Sequence, residues 1–417
     1  MATLELRSPP THVNAPRLLA RIEALGRVGA LEGGGVSRLA LTDEDRAGRD
    51  LVVGWMRELG LEIRIDGIGN VVGLRAGTEP GPPVMTGSHI DTVRTGGLYD
   101  GNLGVIAGLE VIECLNEREL RTRRPLAVGF FTNEEGARFA PDMMGSAVHQ
   151  GALELEAMLD VRGIDGARLG DELARIGYAG EAPVGTETAE AFVELHIEQG
   201  PVLEREGLQI GAVTGVQGIS WTEVTITGTS NHAGTTPMSM RADAGYAAAE
   251  IAVFVRRLVE DIGGAQVGTV GALQLAPNLV NVVAHRATLT VDLRNTDAEV
   301  LADAKARLST FIEELARREG VAISTRVLAD LAPVAFDPNV VELVERSARA
   351  LGLSVRPLPS GAGHDAQMFA PNCPAGMVFV PSVGGLSHNV KEHTDPADLE
   401  AGANVLLRVL LELANAP

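Results

Sequence analysis

The chain has 417 residues, 45% of them hydrophobic and only 3% aromatic, with 49 glycines and a formal net charge of −20. That length exceeds one ordinary core and predicts two or three domains of an Ala/Val/Leu-rich α/β enzyme, not a disordered or fibrous chain. The negative charge argues against nucleic acid and anionic membrane surfaces as partners, and an anionic substrate would have to be met by local arginine or metal charge.

Cys114 and Cys373 are the only cysteines and lack CxxC spacing, so neither a thiolate zinc site nor a disulfide framework is expected. Both read as reduced thiols of a cytoplasmic protein. Residues 1–16 carry no apolar leader, and no run approaches the ~18 apolar residues of a membrane span.

In chain order, residues 17–30 place Leu18, Leu19, Ile22 and Leu25 at helical spacing. Thr42 followed by Asp43, Glu44 and Asp45 marks the start of a second helix that runs to Leu59. Residues 61–65 and 69–74 read as strands, and Pro83-Val84-Met85 as a buried strand running into Gly87-Ser88-His89-Ile90-Asp91-Thr92-Val93 and Tyr99-Asp100-Gly101. A helix over 104–115 follows. The apolar strand 125–132 ends in Asn133-Glu134-Glu135-Gly136. Residues 152–187 read as helical and charged, and the strand from Ala191 runs into His196-Ile197-Glu198-Gln199-Gly200.

Near 212 the pattern changes. Residues 221–228 alternate as a half-exposed antiparallel strand does. A helix at 240–260, strands at 267–275 and 281–294, a helix at 297–318 and a strand at 321–328 complete a β-α-β-β-α-β unit of ferredoxin-like kind. The expected organisation is therefore an α/β domain over 1–212 and 331–417, interrupted by an α+β insert over 213–330. The outer domain resumes with a helix at 338–351, a strand at 375–380 and a helix at 397–414.

Polar residues able to hold a metal recur after four apolar strands, as His89, Glu134 with Glu135, His196, and Ser387-His388. Ligands bind beyond the carboxyl ends of strands in such sheets. Of nine histidines, His89, His196, His232, His364 and His388 lie in Gly-rich or polar contexts, whereas His12, His149, His285 and His393 read as structural or solvated.

These motifs, with Asn231-His232-Ala233-Gly234-Thr235-Thr236-Pro237-Met238 and Gly361-Ala362-Gly363-His364-Asp365-Ala366, resemble the M20-type metallopeptidase/amidohydrolase family. The nearest branch is that of the N-carbamoyl-L-amino-acid hydrolases, β-ureidopropionases and allantoate amidohydrolases. The resemblance implies a zinc-peptidase-like catalytic domain with a ferredoxin-like dimerisation, or lid, insert. It implies two divalent metal ions (Zn, or Mn, Co or Ni), one held by His89 and His196, the other by Glu135 and His388, with Asp100 bridging. Glu134 would be the general base, and Asp91 would orient His89 through its free ring nitrogen. His232 would reach an active site, commonly the partner subunit's, and stabilise the oxyanion. Asn281 and Arg294 would hold the substrate carboxylate, with Gln199, Gln217 and His364 as further substrate contacts. The implied reaction is hydrolysis of an N-carbamoyl-L-amino acid to amino acid, ammonia and carbon dioxide by a homodimer, with allantoate or a dipeptide as the alternative substrate.

Overall fold

In a computed structural model, residues 12–185 and 188–416 are described. The leader reading of residues 1–16 thus falls, for 1–11, outside the described residues. Among the described residues the strands in chain order are β1 (Glu62–Ile65), β2 (Val71–Arg75), β3 (Val84–His89), β4 (Leu126–Phe131), β5 (Ala191–Ile197), β6 (Ile210–Val216), β7 (Gly218–Thr227), β8 (Val267–Ala276), β9 (Arg286–Asn295), β10 (Ala322–Leu331), β11 (Val334–Ala335), β12 (Val355–Ser360) and β13 (Ala375–Val380). The chain divides into two compact units, Met1–Thr214 with Phe336–Pro417, and Gly215–Ala335.

The first unit carries a mixed sheet in the order β1-β2-β4-β3-β5-β13-β6, with β12 also on β6. At its centre β4, β3, β5 and β13 are parallel, and every residue of these four is buried. That is why they read as continuous apolar runs: helices cover both faces of such a sheet. The helix Asn102–Glu117 buries Val105, Ile106 and Leu109, and Pro396–Asn415 buries Leu406, Leu407 and Leu410, each worth roughly 1.5–3 kcal/mol. The register sets Phe131 of β4 beside His89 of β3, and Phe379 of β13 beside His196 of β5. One edge of the sheet therefore collects the carboxyl ends of all four strands.

The second unit is a four-stranded antiparallel sheet, β10-β7-β9-β8. Its helices Ala244–Ile262 and Ala298–Glu319 bury Ile251, Val255, Leu308 and Ile312 against Val224, Ile226, Leu289 and Val291. This strand order with two helices is the ferredoxin-like arrangement. The return segment β11 pairs Val334 with Val216 and Ala335 with Gly215, so this unit extends past 330, where the sequence pattern ended with the last apolar alternation.

Three expectations are corrected. Residues 152–185 hold only two short helices, Leu155–Leu159 and Leu169–Ile176; Gly166 and Gly177, both at positive φ, break the run, while residues 186–187 lie outside the described residues. The strand expected over 281–294 begins only at Arg286, because Pro277 and the left-handed Asn278 (φ 56°) turn the chain before it. His89 and His196 sit inside β3 and β5, not after them. Strand β12 went unread because Pro357 and Pro359 disguise it.

Candidate metal centre

The strand ends bring five predicted ligands together. His89, buried at the end of β3, has Nε2 at 3.6 Å from Asp100 Oδ1 and 3.2 Å from Glu134 Oε2. His196 Nε2 lies 3.2 Å from the same Asp100 oxygen. Each ring sets Nδ1 at 2.9 Å from a backbone carbonyl, of Asp91 and Ile197 respectively. A carbonyl can only accept, so Nδ1 carries the proton and Nε2 keeps the lone pair a metal needs. On the other side, His388 Nε2 is 3.4 Å from Asp100 Oδ2 and 3.2 Å from Glu135 Oε2.

The donor atoms of His89, Asp100 and His196 all lie within 4.8 Å of one another, as do those of Asp100, Glu135 and His388. Two triads thus share Asp100, one on each carboxylate oxygen. Hard oxygen and imidazole donors in that density suit divalent Zn, Mn, Co or Ni, so the residues present fit a metal group. The electrostatics agree. Burial works against the Asp100 carboxylate, but His196 and His89 hold it well below the usual carboxylate range. The bond to Glu135, aided by Asp100 against burial, raises His388 to about 9. Protons here occupy what a cation would replace.

Asp100 is fixed from several sides. Its Oδ2 accepts the Ser387 hydroxyl at 2.7 Å and the Gln199 side-chain amide at 2.9 Å. Glu392, which sequence reading missed, takes the backbone N–H of Tyr99 (3.0 Å) and of Asp100 (3.2 Å) on one oxygen and the Ser387 hydroxyl (3.1 Å) on the other. Gly101 follows at φ 66°; a Cβ there would lie 2.4 Å from the His89 ring, so only glycine fits.

Glu134 and Glu135 follow β4 past Asn133, whose φ of 58° ends the strand and lets neighbouring side chains diverge. Glu134 is buried. Burial, opposed by His89 and reinforced by Asp365, Glu135 and Asp100, holds its carboxyl well above the carboxylate range. Asp91 meets the free ring nitrogen of His89, but through its backbone carbonyl. Its carboxylate is 4.0 Å from His89 Nδ1, and its backbone carbonyl makes the bond to the ring. The carboxylate instead accepts the backbone N–H of Glu134 (3.3 Å) and of Glu135 (3.4 Å), because the turn after β4 presents both amides to it.

A cleft opens on the cluster, lined by Asp100, Glu134, Glu135, Asp142, His196, Gln199, Ala362, Gly363, His364 and His388. None of these is Lys or Arg. Gln199 lines it, but its amide is spent on Asp100 and, at 3.4 Å, on Ser387. His364 also lines it, with Nε2 at 2.8 Å from the Ser360 hydroxyl and its ring edge-on to His196; burial keeps it neutral, its pKa well below the ordinary histidine value. Glu194, two residues before His196, accepts Ser88 Oγ (2.5 Å) and Ala366 N–H (2.8 Å). Neither it nor Asp365 was singled out from sequence. Gln199 and His388, like Asn133, hold positive φ (58° and 53°), the strain expected at working sites.

The remaining predicted residues lie in the second unit. His232 and Asn281 are brought together: Ala233 N–H donates to Asn281 O at 2.9 Å, and His232 bridges Val282. Arg294, on β9, grips the Asp292 carboxylate through Nε and Nη2 (2.9–3.1 Å) and stands 5.8 Å from the centre of the Trp221 ring. Gln217 sits half-buried between β6 and β7. Of the histidines set aside, His149 packs among Phe131 and Phe369, and His285 faces the Ser230 hydroxyl.

A parallel-stranded core with paired carboxylate–imidazole triads at its strand ends, and a ferredoxin-like insert, defines the class of metal-dependent α/β hydrolases. The family model described as Peptidase family M20/M25/M40 matches residues 85–412. An N-carbamoyl-L-amino-acid amidohydrolase of Rhizobium meliloti is 42% identical over 96% of this chain and 97% of its own length. An allantoate amidohydrolase of Escherichia coli (strain K12) is 37% identical over 94% of this chain and 96% of its own. The crystal structure of an amidase of the hydantoinase/carbamoylase family from Burkholderia multivorans matches with a TM-score of 0.96 and 45% identity, covering 98% of this chain and all of that one. The chain belongs to peptidase family M20/M25/M40 and is a hydrolase of C–N bonds.

Proposed function

We propose that the protein is a two-metal amidohydrolase that splits the ureido C–N bond of N-carbamoyl-L-amino acids into amino acid, ammonia and carbon dioxide. The observation that carries this is the pair of triads sharing Asp100, beside a Glu134 that belongs to one turn with Glu135. His89 and His196 would hold one ion, Glu135 and His388 the other, and Asp100 both. Ions bound there would polarise the carbonyl and acidify the attacking water. Glu134 takes the water's proton and returns it to the leaving nitrogen. Asp91 fixes the turn that carries Glu134 and Glu135 by accepting both their backbone amides, and His232 donates a hydrogen bond to the developing oxyanion.

Arg294, with Asn281, is the holder of the substrate carboxylate in this reading: a guanidinium fork matches that group, as its grip on the Asp292 carboxylate illustrates. Gln199, Gln217 and His364 are lesser candidates for substrate contact. The free thiols of Cys114 and Cys373 suit the reducing cytoplasm, and no helix among the described residues is long and apolar enough to cross a membrane. The insert serves as a dimerisation and lid domain in this reading, and the enzyme works as a homodimer.

Allantoate is the second reading, favoured by the Escherichia coli relative. The test is to incubate the metal-loaded enzyme with N-carbamoyl-L-amino acids, allantoate and dipeptides, and to measure ammonia and free amine. Equal release of both from a carbamoyl amino acid is expected. Turnover of dipeptides alone would overturn the reading.

A further inference from the structure

His232 lies in a turn that holds its ring in one state. The backbone N–H of Gly234 donates to His232 Nδ1 at 3.0 Å, and that of Thr235 at 3.2 Å. An amide N–H can only donate, so Nδ1 must keep its lone pair, and the proton of the neutral ring belongs on Nε2. The turn is itself fastened. Thr236 N–H closes it onto His232 O at 3.2 Å, and Ala233 N–H and Val283 N–H dock it to Asn281 O and Asn231 O.

The side chain that clamps it is Arg241. Its Nε donates to Thr236 O at 3.1 Å, and its Nη2 donates to Thr236 O at 3.0 Å and to Ala233 O at 2.5 Å. The guanidinium thus ties together two carbonyls from either side of the Gly234 and Thr235 amides that face the ring. A planar fork that is always charged does this; a lysine ammonium offers no such fixed pair of donors. His232, Gly234 and Thr235 are exposed, so the turn is held by these backbone bonds and by the Arg241 side chain rather than by packing.

We propose that Arg241 is a positioning residue for the hydrolysis: by clamping residues 233–236 it fixes the Nε2–H tautomer of His232, so that the ring offers a hydrogen-bond donor to the substrate carbonyl. This rests on the reading of His232 as the oxyanion donor. A ring free to exchange tautomers would present a lone pair to that oxygen part of the time and repel the charge that develops there.

The test uses the full-length, zinc-loaded enzyme labelled with 15N-histidine, at a pH where the ring is neutral. The His232 signals are identified by their loss in His232→Gln. Long-range 15N–1H correlation of the native enzyme should show the proton on Nε2. In Arg241→Ala the two ring nitrogens should move toward averaged shifts. Its kcat should fall by about tenfold or more, a part of the 10²–10³ lost when an oxyanion donor is removed outright, with KM little changed and zinc content unchanged. Arg241→Lys should recover only part of the loss. A proton on Nδ1 in the native enzyme, or an Arg241→Ala variant with both the tautomer and kcat intact, would overturn the proposal. A native Nε2–H signal with undiminished kcat in His232→Gln would instead overturn the oxyanion reading, and with it the part of Arg241 in turnover.

Discussion

At the scale of single residues, the ligand set is chemistry that residue type alone can carry, and the backbone conformations behind it are not. The candidate positions His89, Glu134 with Glu135, His196 and His388 are legible because each ends or follows an apolar strand, whereas their division into ligand pairs sharing Asp100 comes only from the family resemblance. The left-handed Asn133, Gln199 and His388 are not legible, since nothing local in a non-glycine residue announces positive φ. Asp91 shows how this matters. Spacing suggests a carboxylate on His89, whereas the turn after β4 takes that carboxylate for the Glu134 and Glu135 amides. Asp91→Ala should therefore lower kcat about 10- to 100-fold, the usual effect of removing a group behind a metal ligand. Asp91→Asn should cost less, because its amide oxygen still accepts from the turn while the backbone carbonyl still orients His89. Steady-state kinetics on the two variants decides this, and equal losses would return the role to the His89 ring.

At the scale of elements, long periodic segments were readable and short or proline-bearing ones were not. The apolar run marks β13 to the residue, and the sequence marks the helix Asp43–Glu58 within one, since Thr42 caps it by accepting the Asp45 N–H and three acids fill its first turn. The helices Met144–His149 and Asp365–Phe369 are too short to show a period. Long-range ties between loops are likewise invisible in a single sequence. Glu392 lies nearly 300 residues from Asp100, yet holds its backbone and, through Ser387, its side chain. Glu392→Ala should uncouple the loop bearing His388 from the turn bearing Asp100 and weaken metal binding about 10- to 100-fold. Metal titration followed by calorimetry measures this, and unchanged affinity would show that the two loops are held independently.

At the scale of the whole molecule, the repeated mismatch between an acidic chain and an anionic substrate is the organising constraint. With a net charge of −20 and no Lys or Arg among the described residues that line the cleft, the proposed reading needs positive charge from cations in the triads. It also needs a use for apolar surface: on the edge strand β8 and the loop after it, Leu273, Leu275, Leu279 and Val280 are exposed. An open edge of this kind invites pairing with a second chain. Light scattering after gel filtration should give a dimer mass, and Leu275→Asp with Val280→Asp should shift it to the monomer; a native monomer would remove the dimer from the account.

In the proposed mechanism Glu134 moves the proton while its neighbours hold the metal. Glu134→Gln keeps the shape of the side chain and removes its basicity. Metal analysis and turnover of an N-carbamoyl-L-amino acid on the same preparation test it together. The variant should hold two ions per chain, as the native enzyme should, with kcat lower by about 10²- to 10⁴-fold; two ions with native turnover would remove Glu134 as the proton carrier.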